Sequence, residues 1–244
     1  MAFGISGCLP LRATRMRPFL MFESLQLQEL PRKQKAILRP ATPTRPALRL
    51  IEENGVRAVV KDFSMNRFLF RHLAGRFLVW RESRAYRQVA GLEGVPMLYR
   101  VINGLAIVVE YIPGISLSDL ERPSDLPEHF FQACADLLSR IHARGVAHCD
   151  LKREPNILVG SDGRPYFVDW AAAILHRECR FFPSNRIYAR FLQDDQLAII
   201  KHKCKHLPAE VSREERRRLE YRSGPEKAVR VIRDGLRRLL KRVA

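Results

Sequence analysis

The feature that most constrains this chain is a hairpin pattern with a polar residue at each open end. Residues 157–159 and 166–168 are short apolar runs, and the Ser-Asp-Gly segment 161–163 between them is typical of a tight turn. Asn156 comes directly before the first run, and Asp169 directly follows the second. Because the open ends of an antiparallel hairpin lie side by side, we expect Asn156 and Asp169 to be neighbours.

A third polar residue enters the same edge. Asp150 lies six residues before Asn156, in the segment that leads into the hairpin. Two carboxylates and one amide therefore converge, and oxygen ligands of this kind suit Mg²⁺, which uses one or two carboxylates together with substrate phosphates. The sequence predicts a magnesium site at this edge.

The N-terminal half has the pattern of an antiparallel sheet. Asn54-Gly55 lies between two apolar-rich runs at 48–53 and 56–63, the strongest short-range signal for a hairpin. Two further short strands are predicted near 97–101 and 105–110. A helix is predicted at 66–90, after the hairpin and before these two strands. The residues assigned to its buried face are Trp80, Tyr86 and Val89.

The C-terminal half has the pattern of helices. After the break at Pro113-Gly114, a helix is predicted from about residue 127, and Gly145 is a natural C-terminal cap. The apolar positions that repeat with the helical period are Phe130, Cys134, Leu137, Leu138 and Ile141. Strands followed by helices with one inserted hairpin indicate an α+β fold with two lobes.

Composition excludes some classes of protein. Apolar residues make up 46% of the chain, as in a folded protein, but no run of eighteen uncharged apolar residues could span a membrane. The five cysteines are scattered, which indicates reduced thiols in the cytoplasm. The group His202, Cys204 and His206 lacks the spacing of a structural zinc motif.

The net charge of +17 lies mainly at the two ends. Residues 1–49 carry nine Lys and Arg against two acids, and residues 213–244 carry twelve against five, whereas the middle is nearly balanced. Basic ends suit an anionic partner such as a membrane surface, a phosphorylated glycolipid or nucleic acid, or else they are solvated helix faces. Residues 213–244 also carry an apolar stripe bordered by arginines, which favours a membrane interface or packing on the large lobe.

The segment from His148 to Asn156, followed by Val168-Asp169-Trp170, resembles the catalytic loop and metal-binding motif of the protein-kinase-like superfamily. The resemblance implies that Asp150 is the catalytic base, which accepts the proton of the attacking hydroxyl. It implies that Asn156 and Asp169 are the metal ligands. Lys152 occupies the position of a lysine that steadies the transferred phosphate.

Upstream, residues 58–61 resemble the strand-lysine motif, which implies that Lys61 contacts the phosphates of ATP. Lys61 needs a carboxylate partner. Glu82, which lies 21 residues further on, fits this role better than Glu93, which lies near the end of the predicted helix.

Residues 108–114 resemble the hinge between the two kinase lobes, which implies that Glu110 and Ile112 lie beside the adenine. The resemblance thus implies ATP and Mg²⁺ as cofactors. The predicted organisation is a basic, proline-rich and partly irregular lead-in at 1–47, a kinase-like catalytic domain at 48–212, and a basic amphipathic tail at 213–244. Within the domain, the small β-rich N-lobe is 48–110, the hinge 110–114 and the reduced helical C-lobe 115–212.

The sequence departs from the family pattern at four places. The spacing from Asp150 to Asn156 is one residue longer than usual, and Trp170-Ala171 replaces Phe-Gly. No glycine-rich phosphate loop precedes Lys61, and no Ala-Pro-Glu triplet follows Asp169. These differences weigh against a protein substrate more than against phosphoryl transfer.

The short length most resembles the small bacterial kinases of lipopolysaccharide core sugars (Kdo and heptose) and the RIO-type atypical kinases. That resemblance implies an acceptor hydroxyl on a glycolipid sugar, and a cytoplasmic protein peripheral at the inner face of the membrane. The basic tails and segment 66–80 then face anionic lipid, although packing of that segment on the small lobe is the favoured expectation.

Three other functions stay open. An atypical serine/threonine protein kinase is favoured by Lys152, and an antibiotic-type small-molecule phosphotransferase by Asp169-Trp170. A pseudokinase or nucleic-acid-binding adaptor is disfavoured, because an adaptor has no need for the full set Lys61, Glu82, Asp150, Asn156 and Asp169. Nucleic acid is therefore not the expected partner.

Overall fold

The computed structural model describes residues 22–122 and 125–220, which form a mixed α+β structure. Its N-terminal part is rich in β-sheet and its C-terminal part is mainly helical. The predicted amphipathic stripe at the C-terminal end lies outside the described residues from 221 onwards, so its membrane role stays a prediction. Among the described helices, none has the length and apolar character needed to span a bilayer.

The N-terminal sheet has five antiparallel strands in the order β1-β2-β3-β5-β4. Their bounds are β1 Gln34–Arg39, β2 Ala47–Glu53, β3 Val56–Asp62, β4 Leu98–Ile102 and β5 Ala106–Glu110. The predicted hairpin is confirmed, because Glu53 pairs with Val56 and both turn residues, Asn54 and Gly55, have positive φ.

The expectation of an irregular lead-in before residue 48 was wrong in part. Strand β1 lies within it and pairs with β2, and a short helix α1 (Leu30–Lys33) precedes it. Phe22, Leu25 and Leu30 are buried in the cluster that packs against the sheet. The prolines suggested irregular structure, but they lie outside the strand. Pro31 lies in the first turn of α1, and Pro40 follows the last residue of β1.

A helical stretch follows the third strand and packs on the sheet. It consists of α2 (Phe68–Phe70), a π-helical segment at Arg71–Gly75, and α3 (Arg76–Gln88). Tyr86 and Val89 are buried as predicted, but Trp80 is 50% exposed, so its assignment to the buried face was wrong. Six residues correspond to about one and two-thirds helical turns, which places Trp80 away from the face of Tyr86.

The favoured expectation that segment 66–80 packs on the small lobe is only partly correct. Val79 is buried and Phe70 and Leu78 are partly buried against the sheet. Five large apolar side chains of the same segment are instead at least half exposed. They are Phe68, Leu69, Leu73, Phe77 and Trp80.

The C-terminal part is built on three helices, α4 (Phe130–Ala143), α5 (Ser184–His206) and α6 (Arg213–Glu220). All five apolar positions predicted for α4 are buried, and Gly145 after its end has a φ of +73°. The small strands are β6 Gly114–Ser116, β7 Val146–Ala147, β8 Ile157–Gly160, β9 Pro165–Phe167 and β10 Ile174–Leu175. The order of the small sheets is β6-β8-β9 and β10-β7.

The main core joins the two parts of the molecule. Ala85, Tyr86 and Val89 from the end of α3 share one buried cluster with the inner face of α4 and with Trp170. Helix α3 therefore packs on the sheet with one part of its surface and on the helical part with another. This arrangement fixes β3, α3 and the β8–β9 hairpin relative to one another.

Candidate active site

The β8–β9 hairpin has the geometry predicted for it. Ile157 pairs with Phe167, and the Val168 amide donates to the Asn156 carbonyl over 3.0 Å, so the two open ends are neighbours. Asp169 follows with a φ of +65°, in the left-handed region that few side chains adopt. The Asn156 amide nitrogen donates to the backbone oxygen of Asp150 over 3.0 Å and to its Oδ2 over 3.1 Å. Asp150, Asn156 and Asp169 thus occupy one edge.

Lys61 joins this edge to the sheet. Its Nζ donates to Glu82 Oε1 and Oε2 over 2.7 and 2.9 Å, so the predicted pairing is present. The same Nζ donates to Asp169 Oδ1 over 2.8 Å. One ammonium group from β3 is therefore held between a carboxylate on α3 and a carboxylate at the hairpin edge.

Lys61 and Asp169 favour each other's charged form, whereas burial raises the pKa of Glu82. Burial alone would lower the pKa of Lys61, but the adjacent Glu82 and Asp169 carboxylates outweigh it and raise the pKa above its usual value. The Lys61 charge in turn lowers the pKa of Asp169 to about 2. Asp169 is therefore ionised and Lys61 protonated at neutral pH.

The loop before Asp150 is held by a residue that sequence reasoning missed. Asp195 on α5 is buried and accepts hydrogen bonds from the backbone amides of His148 (2.7 Å) and Cys149 (2.9 Å). Cys149 has a φ of +65°, an unusual conformation for a residue with a side chain. Helical spacing places Asp195 on the same face of α5 as Tyr188 and Ala198, but it does not indicate which amides Asp195 binds.

Two histidines hold the same loop. His148 is buried, and its Nε2 donates to the Val168 carbonyl over 3.1 Å while its ring lies 4.5 Å from the Trp170 ring. Burial lowers the pKa of His148, so the ring is neutral and holds the loop through its hydrogen bond and ring contact. His202 Nε2 donates to the Leu151 carbonyl over 2.8 Å.

The group at 202–206 therefore has a structural part in the described region. Glu154, which lies within the segment 148–156, accepts hydrogen bonds from Lys205 Nζ and His206 Nε2. Together with His202, these contacts attach the end of α5 to the loop.

The remaining predicted residues are Glu110, Ile112 and Lys152. Glu110 ends β5 opposite Ala58, and its Oε2 accepts a hydrogen bond from the Met97 amide over 3.0 Å. Ile112 follows the strand and is half-buried, and Lys152 is exposed in the turn after Asp150. The structure thus brings Lys61, Glu82, Asp150, Asn156 and Asp169 together, and the ligand roles predicted for all eight residues stay predictions.

Arg39 is a further cation on the face of Lys61. Arg39 on β1 pairs with Leu48 on β2, and Leu48 pairs with Lys61 on β3. Because directly paired residues in antiparallel strands point to the same face of the sheet, Arg39 and Lys61 share one face. The buried Nε of Arg39 has no hydrogen-bond partner. Burial lowers the pKa of Arg39, and the Asp169 charge opposes that shift. Sequence reasoning missed Arg39 because it missed β1.

The donor set of the edge fits a magnesium ion. Among the described residues, no cluster of three or more His, Cys, Asp or Glu side chains could hold a metal by itself. A magnesium site completed by phosphates needs fewer protein ligands. Because the amide nitrogen of Asn156 makes both bonds to Asp150, its amide oxygen is the atom that can serve as ligand beside the Asp169 carboxylate.

Comparison with known proteins gives limited support. No protein-family model matches the chain. The chain is similar to the serine/threonine-protein kinase D of Synechocystis sp. (strain ATCC 27184 / PCC 6803 / Kazusa), with 33% identity over 82 residues. The match covers 32% of this chain and only 16% of that kinase. It supports a kinase-like relationship at the level of the class of protein.

Proposed function

We propose that this protein is an ATP- and Mg²⁺-dependent phosphotransferase with a two-lobed protein-kinase-like fold. The observation that carries the proposal is the Lys61 ammonium, which is bonded to both Glu82 and Asp169 at the edge that also holds Asp150 and Asn156. A partly buried lysine fixed between two carboxylates is a prepared site for the phosphates of a nucleotide, because its direction is set before the ligand binds.

Each residue has a role in this proposal. Lys61 binds the phosphates, and Glu82 orients it. Asn156 and Asp169 would hold Mg²⁺, which neutralises phosphate charge during transfer. Asp150 accepts the proton of the attacking hydroxyl, and Asn156 orients its Oδ2 through the 3.1 Å hydrogen bond. Lys152 steadies the transferred phosphate, while Glu110 and Ile112 lie beside the adenine.

For the acceptor, we propose a hydroxyl of a glycolipid core sugar at the inner face of the cytoplasmic membrane. The support is the sequence's departure from the protein-kinase pattern after Asp169, where no Ala-Pro-Glu triplet follows, and the charge of +17, which suits an anionic acceptor. The second candidate is a serine or threonine of a protein, which is favoured by the likeness to a serine/threonine kinase and by Lys152.

Product analysis distinguishes these acceptors. The full chain is incubated with ATP, Mg²⁺ and separate panels of glycolipids, proteins and aminoglycosides, and the products are measured by mass spectrometry. We expect an added phosphate on the glycolipid sugar and none when EDTA is present. Phosphate on a protein hydroxyl would replace the first acceptor by the second. Failure to hydrolyse or transfer with any acceptor would contradict the phosphotransferase proposal and favour an adaptor.

Nucleotide binding is expected to depend on side-chain cations, because the β1–β2 connection lacks the glycines whose amides cover phosphates in the family pattern. We expect Arg39→Met to weaken ATP binding about tenfold, the order of magnitude of one charge-assisted contact. Lys61→Met or EDTA should weaken it further. Isothermal titration calorimetry measures both.

The control for Arg39 is Lys35→Met, which removes an exposed cation from the same strand. ATP binding by this control should match that of the unaltered protein. Equal affinities for Arg39→Met and the control would remove Arg39 from the nucleotide site, and tight binding that ignores EDTA would remove the dependence on metal.

A further inference from the structure

An exposed apolar ridge runs along the helical stretch from Phe68 to Gln88. It consists of Phe68, Leu69, Leu73, Phe77 and Trp80, whose exposed fractions range from 50% to 69%. Leu69, Leu73, Phe77 and Trp80 follow one another at helical spacing and share one face. The buried side of the same stretch contains Val79 and Tyr86, so the helix has a second apolar face that the described residues leave uncovered.

Cations border the apolar ridge. Residues 65–84 contain five arginines and a single acidic residue, Glu82, which is buried and paired with Lys61. Arg84 also pairs with Glu178 over 3.0 Å, so its charge is partly balanced. The Arg71 guanidinium lies 5.5 Å from the Phe68 ring centroid, and the Arg84 guanidinium lies 4.4 Å from that of Trp80. Aromatic rings next to arginines are typical of the boundary between lipid headgroups and acyl chains, where the ring is buried and the cation meets phosphate.

We propose that the apolar ridge is a membrane-binding surface that inserts its side chains into the headgroup region of an anionic bilayer. The charge favours lipid over other occupants, because the positive border complements anionic headgroups. The exposure favours it also, since the five side chains are 50% to 69% exposed along one helical stretch. Two grooves of the described part of the chain lie elsewhere, one among α4, α5 and α6 and one between α5 and α6. This inference does not depend on catalysis.

Trp80 provides a direct test in the full chain. The protein has two tryptophans, and only Trp80 is exposed, because Trp170 is fully buried. Vesicles of anionic phosphatidylglycerol with phosphatidylcholine are compared with pure phosphatidylcholine vesicles. We expect a blue shift of the emission and quenching by brominated acyl chains with the anionic vesicles only. About half-molar salt should reverse both changes, because it shortens the screening length to about 4 Å.

The double substitution Leu73→Gln and Phe77→Gln keeps Trp80 as reporter and uses a good helix former. We expect it to lower partitioning into anionic vesicles at least about tenfold. The matched control is Ile115→Gln, which removes a large apolar side chain that is 46% exposed on β6, outside the ridge. It should bind vesicles as the unaltered protein does, and circular dichroism should show unchanged helix content in both variants.

Several outcomes overturn the proposal. Vesicle binding with no change in Trp80 emission, and no effect of the double substitution, would assign binding to another part of the chain, including the basic ends. Equal binding to neutral and anionic vesicles would show that the arginines bordering the ridge do not contribute to membrane binding. Absence of vesicle binding would exclude lipid. If sedimentation shows self-association that the double substitution abolishes, then the ridge is an interface between copies.

Discussion

Replacing Asp169 by Asn is expected to reduce phosphoryl transfer on the order of 1,000-fold while leaving the fold intact, the scale of effect of losing charge stabilisation in the transition state. The pKa of Asp169 is lowered to about 2, so the substitution removes a full negative charge at any ordinary assay pH. Asn keeps the size of the side chain and an oxygen that can accept the 2.8 Å bond from Lys61. The loss should therefore appear in kcat, with a melting temperature within a few degrees.

The matched control for this prediction is Asp162→Asn at the opposite end of the same hairpin. Asp162 accepts hydrogen bonds from the Arg164 amide and the Tyr166 hydroxyl in the turn, far from the edge that holds Asp169. Its replacement should leave kcat within a few fold. Comparable turnover in the two variants would show that Asp169 is not a ligand in the reaction.

The second large effect is expected for Asp195→Ala, which should destabilise the protein by about 3 kcal/mol and abolish activity. The substitution leaves the buried amides of His148 and Cys149 without the acceptor that holds them. For a chain of this size, about 3 kcal/mol corresponds to a melting temperature lower by about 6–12 °C. Activity should fall even below that temperature, because Asp150 follows directly after Cys149, whose left-handed backbone would lose its support.

Asp194→Ala controls for the loss of a carboxylate at this point of α5. Asp194 is 41% exposed and pairs with Arg190 over 3.1 Å, an interaction worth about 0.5 kcal/mol at a surface. Calorimetric melting and kcat should both stay close to those of the unaltered protein. If Asp195→Ala behaved in the same way, the loop would not depend on α5.

Local signals in the sequence were sufficient for several elements of the fold. The Asn54-Gly55 turn, the buried face of α4 and the open end of the β8–β9 hairpin were all predicted, because turn chemistry and helical period act over a few residues. The pairing of Lys61 with Glu82 was predicted from a family resemblance, and the two side chains do pair. The functional roles proposed for these residues stay predictions.

Other parts of the site were out of reach of local reasoning. Asp195 binds the amides of His148 and Cys149, which lie 47 and 46 residues earlier in the chain. Sequence periodicity does not predict a pairing over such a separation. Arg39 belongs to an edge strand within a proline-rich segment, where the strand signal is weak. The exposure of Trp80 depends on which sides of the helix the sheet and α4 cover, which is a property of the tertiary packing.

The attachment of the loop to α5 has a consequence for the order in which the molecule assembles and fails. Contacts from Asp195, His202 and Lys205 join residues 148–154 to a helix that is made later in the chain, whereas the five-stranded sheet is complete by residue 110. During synthesis, the sheet and the Lys61–Glu82 pair can form well before the loop has anything to hold it. On heating, detachment of α5 would disorder the loop while the sheet persists. The geometry of the candidate site should therefore be acquired last during synthesis and lost first on heating.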